Sequence, residues 1–167
     1  MEESVKHNHL NQVITSLRTE MSEFGYQFEP PVNLHELDIY IDTVTDVPIH
    51  CLNYVRTNQE YRHFLSVMNG VEYNSFILYG MSDSIYTPCS ELNIFDINKF
   101  NQNPPFEVDP HLIDKVEIAR LPPGIYLYNP STHKYEDRDA IGTEYIYKQF
   151  DTLADMLQAA IARVCKN

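Results

Sequence analysis

The chain contains no tryptophan, only five glycines, and three cysteines without a CxxC pair among its 167 residues. Each shortage removes a class of function. Neither G-x-G-x-x-G nor a P-loop pattern occurs, so neither kind of phosphate-cradling loop is present. Cys51, Cys89 and Cys165 are widely spaced and odd in number, which excludes a disulfide framework and suits a reducing compartment. No apolar run approaches the ~20 residues needed to cross a bilayer, so no membrane partner is expected. The opening residues MEESVKHNHL are polar and mostly acidic, unlike a secretory leader, and a cytoplasmic location is the expectation.

Positive charge is also scarce. Twelve Lys and Arg face 24 Asp and Glu, a formal net charge of −12. Residues 1–70 hold ten acids against four bases and residues 71–150 hold twelve against six, so the charge belongs to the body and not to a tail. Nucleic-acid affinity comes mainly from cations neutralising phosphates, and direct DNA or RNA binding is therefore not expected. A basic protein partner suits this surface, although acidity also serves solubility.

A catalytic set is missing as well. His7 and His9 fall about 200° apart on a helix and cannot share an ion. Asp109, His111 and Asp114 lie together in EVDPHLID, but Asp109-Pro110 reads as an N-cap followed by proline at the first helical position. YEDRD, residues 135–139, gathers three carboxylates without a D-x-D-x-D-G loop, and a solvated hairpin end is expected there. GMSD lacks the second glycine of a nucleophile elbow. His50 and Cys51 are sequence neighbours, which rarely reach base–nucleophile geometry. No cofactor or metal is expected.

What remains is a clear fold pattern. Leu10, Val13, Ile14, Leu17, Met21 and Phe24 form one helical stripe ended by Gly25. Asn33 and Glu36 resemble a capping box for a second helix through Leu34, Leu37 and Ile41, although the β-branched residues of 39–47 also permit a strand. Thr57 and Glu60 form another capping box before Tyr61, Phe64, Leu65 and Met68, and Asn69-Gly70 stops that helix. SFILYG then reads as a central strand covered on both faces. LNIFDI at 92–97, KVEIARL, GIYLYNP and TEYIYKQF read as further strands, with NPSTHK as the turn into KYEDRD. A closing helix capped near Asp151-Thr152 turns Leu153, Met156, Leu157, Ile161 and Val164 inward. Together these predict an α+β fold, with an antiparallel or mixed sheet of about five to six strands flanked by N-terminal and C-terminal helices. The chain length fits a single domain over 1–167, with the helix and Pro-containing linker of 1–30 packed on it.

Twelve tyrosines stand out, among them Tyr79, Tyr86, Tyr126, Tyr128, Tyr135, Tyr145 and Tyr147 in the strand-rich half. Tyrosine is favoured both at protein interfaces and within sheets.

The stretch EYRHFLSVMNGVEYNSFILYG resembles the signature of the SUKH superfamily, in particular its YrhA-type branch. FGYQFEPPVNLHEL, LNIFDINKFN, IYLYNPSTHKYEDRD and KQFDTLADML resemble the remaining pieces in order. The chain departs in having RTNQE where Leu-Pro often precedes the helix, and Ser75 where glycine is common. The resemblance implies an α+β domain and a non-enzymatic immunity protein that binds and neutralises a delivered bacterial toxin, including toxins that are nucleases. It also implies an alternative, a regulatory protein–protein interaction scaffold of the same superfamily. A third possibility is a metal-dependent hydrolase built on the DPHLID or YEDRD carboxylates. For the immunity function, the expected partner is a cognate, basic toxin domain. The expected contact residues are the exposed acids and tyrosines Asp83, Tyr86, Glu91, Tyr135, Glu136, Asp137 and Asp139, while Tyr61, Phe64, Leu65, Asn69 and Gly70 should be structural.

Overall fold

The computed structural model describes residues 1–81, 93–103 and 107–165. Among these, six helices accompany a six-stranded antiparallel sheet, an α+β fold with helices at both ends. Helix α1 spans Glu2–Glu23 and buries Leu10, Val13, Ile14, Leu17 and Met21, the spacing of one helical stripe. Gly25 follows with φ of 76°. Helix α2, Leu34–Ile41, opens on Asn33, whose side chain accepts from the backbone of His35 and Glu36. The helical alternative for this stretch is thus the correct one.

Helix α3, Ile49–Thr57, was not expected, and it changes the start of α4, Gln59–Val67. Thr57 belongs to the end of α3, where its hydroxyl donates back to the Asn53 carbonyl. The cap of α4 is Asn58, which accepts from the Tyr61 amide at 2.9 Å. Glu60 does not complete a cap on its own helix, because its carboxylate accepts from Ala154 in the first turn of α6. Gly70, with φ of 87°, lies so close to the Gly80 and Leu78 backbone that an added Cβ would meet the Gly80 nitrogen at 2.9 Å. Asn69-Gly70 therefore serves both to stop the helix and to permit a backbone crossing.

Strands β1 (Val71–Tyr73) and β2 (Phe76–Leu78) form a hairpin whose turn holds Asn74 at positive φ. The expectation of a central, doubly covered strand is corrected here. β2 lies second from the sheet's edge, and Ile77 is half-buried while Phe76 and Leu78 are fully buried. LNIFDI is a second correction, because Asn93 caps helix α5 over Ile94–Gln102 by accepting from Asp96. The Asn98 side chain of α5 exchanges two hydrogen bonds with the backbone of Glu117, closing β3 beyond the end of β2. Asp109-Pro110 begins a set of turns and no helix; the Asp109 carboxylate accepts from the His111 amide at 2.9 Å.

The remaining strands run as a meander: β3 Val116–Leu121, β4 Gly124–Asn129, β5 Lys134–Asp139 and β6 Ile146–Phe150. Helix α6, Leu153–Cys165, follows, with the Thr152 hydroxyl accepting from Asp155 as its N-cap. Helices α3 and α6 both bond to one face of the meander. Tyr54 of α3 shares a hydroxyl–hydroxyl bond with Tyr135 of β5, and Arg163 of α6 donates to Tyr126 and Asp137. Strand alternation puts Tyr135 and Asp137 on this face and Glu136 and Arg138 on the other.

Candidate interaction site

The expected contact residues divide three ways. Asp83, Tyr86 and Glu91 lie outside the described residues. Tyr135, Glu136 and Asp137 are buried, which corrects the expectation of a solvated hairpin end. KYEDRD is a strand inside the sheet, paired with β4 on one side and β6 on the other. Tyr135 accepts from the Asn58 amide at 3.2 Å as well as meeting Tyr54, and burial raises its pKa far above the usual tyrosine range. Glu136 is held by the Arg138 guanidinium and by Asn129 at 2.8 Å. Burial raises the Asp137 pKa, and nearby Arg163 partly opposes it. All three side chains are turned into the fold and away from solvent.

Asp139, the last of the seven, ends β5 where the chain turns toward β6. One of its oxygens accepts from the Ile141 and Gly142 amides at 2.7 and 2.8 Å, an Asx-type turn. The other accepts from the Tyr147 hydroxyl at 2.8 Å. These donors hold the Asp139 pKa below its usual value, the Gly142 amide foremost, and the carboxylate in turn raises that of Tyr147.

Around Asp139 lies the surface that sequence reasoning did not assemble. Ile141 is 93% exposed, Tyr145 and Tyr147 are each 63% exposed, and Ile146 is 44% exposed. All four belong to the β5–β6 connection or to β6. A bulge creates the arrangement: Asp137 faces Lys148 and Arg138 faces Ile146, so Tyr147 has no residue opposite it. Bulges re-aim side chains, and here the result is a tyrosine directed at Asp139. The available signal was EYIYK itself, where Tyr145, Ile146 and Tyr147 give β6 large side chains without the alternation of a half-buried strand.

A concavity of about 920 Å³ lies where α1, α3 and the β4–β5 turn meet, lined by Lys6, His7, His50, Tyr54, Glu60 and His133 among others. Its polar groups do not converge on an ion: among the described residues no cluster of three or more His, Cys, Asp or Glu is arranged to hold a metal. Asp109 is engaged with the Thr143 hydroxyl at 2.6 Å and Asp114 pairs with Lys115, so the DPHLID carboxylates have separate partners. Cys51 is buried and its thiol pKa is raised by desolvation, unlike that of an activated nucleophile.

Comparison of the chain with family models, with curated proteins and with solved structures finds no match in any of the three.

Proposed function

We propose that this chain is a non-enzymatic immunity protein of SUKH type, which binds and neutralises a basic toxin domain through the β5–β6 surface. The observation that carries this reading is the placement of Ile141, Tyr145, Ile146 and Tyr147 in solvent beside Asp139. Large apolar side chains left exposed together mark interaction sites, and tyrosine concentrates binding energy at such sites because it offers wide area with few rotamers. The net charge of −12 gives the partner its sign, since complementary potentials speed encounter and discourage wrong partners. The resemblance of residues 60–80 to the SUKH signature supplies the biological class. Protection would come from covering or distorting the toxin's working surface.

The test is calorimetric titration of this protein with the C-terminal domain of the polypeptide encoded beside it. The expected result is 1:1 binding at nanomolar affinity or tighter that weakens with added salt. Tyr145→Ala and Tyr147→Ala should each weaken it about ten- to hundredfold. Full affinity in both variants would remove this surface from the function, and no binding by the unaltered protein would remove the immunity reading.

A further inference from the structure

We propose that the partner docks by adding its own edge strand to β6, extending the six-stranded sheet across the interface. This deepens the preceding reading and rests on it. The two edges of the sheet are built differently. β1 has three residues, two of them buried, and it is covered by the segment that follows α1. The Tyr26 ring meets Tyr73 edge-on at 4.9 Å, and its hydroxyl donates to Asn74 in the hairpin turn. That edge is short and protected, as natural sheet edges usually are.

β6 has five residues, and Ile146, Tyr147, Lys148 and Gln149 are all exposed. It pairs only with β5 among the described strands. No proline interrupts it, and its single lysine lies over the Phe150 ring at 5.1 Å. Apart from the bulge at Tyr147, the side of β6 that no described strand pairs offers alternate backbone donors and acceptors for a further strand, while Tyr145, Tyr147 and Ile146 offer the side-chain contacts that make such pairing selective. The occupant is an extended segment of a basic protein, with Lys or Arg directed at Asp139 and Glu144. A second copy of this chain is disfavoured as occupant because each copy carries −12.

Hydrogen exchange of the protein, alone and with the adjacent-encoded C-terminal domain, tests the mode of docking. Strand addition predicts that the alternate amides among 146–149 that face away from β5 exchange fast in the free protein and slow at least tenfold in the complex. Tight binding without slowing at 146–149 overturns strand addition while leaving the immunity reading in place. Absence of binding overturns both. A free protein that sediments as a dimer with these amides already slow shows a second copy on the edge, and also overturns the proposal.

Discussion

Tyr54 of α3, Tyr61 of α4 and Tyr135 of β5 are buried with their hydroxyls hydrogen-bonded to other protein groups, whereas Tyr145 and Tyr147 stand in solvent just before and within the outermost strand. The same side chain is solving opposite problems. A buried hydroxyl must find a partner or cost about 1–3 kcal/mol, and each of the inner three has one. Tyr54 and Tyr135 bond each other at 3.1 Å, Asn58 adds a donor to Tyr135, and Tyr61 donates to the Tyr79 carbonyl at 2.7 Å. Tyr54 further packs against Tyr61 and Tyr128 at centroid distances of 5.1 and 4.7 Å. The outer pair stays exposed, and only Tyr147 is tied down, by Asp139. What separates the two groups is therefore the surroundings of each tyrosine and not its abundance.

Removing an inner ring should break the comparison most severely. Tyr61 is fully buried, and Tyr61→Ala leaves a cavity beside Tyr54 while depriving the Tyr79 carbonyl of its donor. The expected cost is about 3–5 kcal/mol, read as a lower urea midpoint without a change in slope. A loss below about 1 kcal/mol would mean that the inner cluster is not the core it resembles.

Alkali should separate the two groups next. Burial raises the hydroxyl pKa values of Tyr54, Tyr61 and Tyr135 above the ordinary 10.0. The folded state then holds these protons more tightly than the unfolded chain does. Their contribution is intact below pH 10 and is lost as pH climbs toward the higher folded values. Each tyrosine protonated in the fold but ionised in the unfolded chain removes about 1.4 kcal/mol per pH unit in that window. Tyrosinate absorbance from the inner group should therefore appear together with loss of the circular dichroism of the fold. Ionisation of all twelve tyrosines with the dichroism retained would contradict the burial.

The contrast also explains which parts of the molecule were legible beforehand. Stripes of apolar residues and strong caps were readable for α1, α2 and α6, and strands β3, β4 and β6 followed from their β-formers and turns. α3 went unread although Cys51, Tyr54 and Val55 lie at helical spacing, because Pro48 precedes a stretch with no side-chain cap. α5 was taken for a strand because Ile94, Phe95 and Ile97 are strong β-formers, and the Asn93 cap outweighs them. YEDRD misled through composition: three acids look solvated until strand alternation sets Glu136 beside Arg138 on one face and Asp137 toward Arg163 on the other. The aim of Tyr147 at Asp139 depends on a bulge, and a bulge is a register feature that no local motif announces.

The mildest change sharpens the comparison at its outer side. Tyr147→Phe removes the hydroxyl that Asp139 accepts and keeps the ring. Both groups are exposed, so solvent replaces the lost bond and the urea midpoint should not move measurably. The Asp139 turn also survives, because the Ile141 and Gly142 amides still hold its other oxygen. Binding to the adjacent-encoded domain should weaken only severalfold, less than in Tyr147→Ala, and chiefly through faster dissociation, since most of the contact area remains. This ordering distinguishes a hydroxyl that merely aims a ring from one that itself contacts the partner. Equal losses for Phe and Ala would assign the binding to the hydroxyl. A large drop in stability for Phe would move Tyr147 into the same structural group as Tyr61.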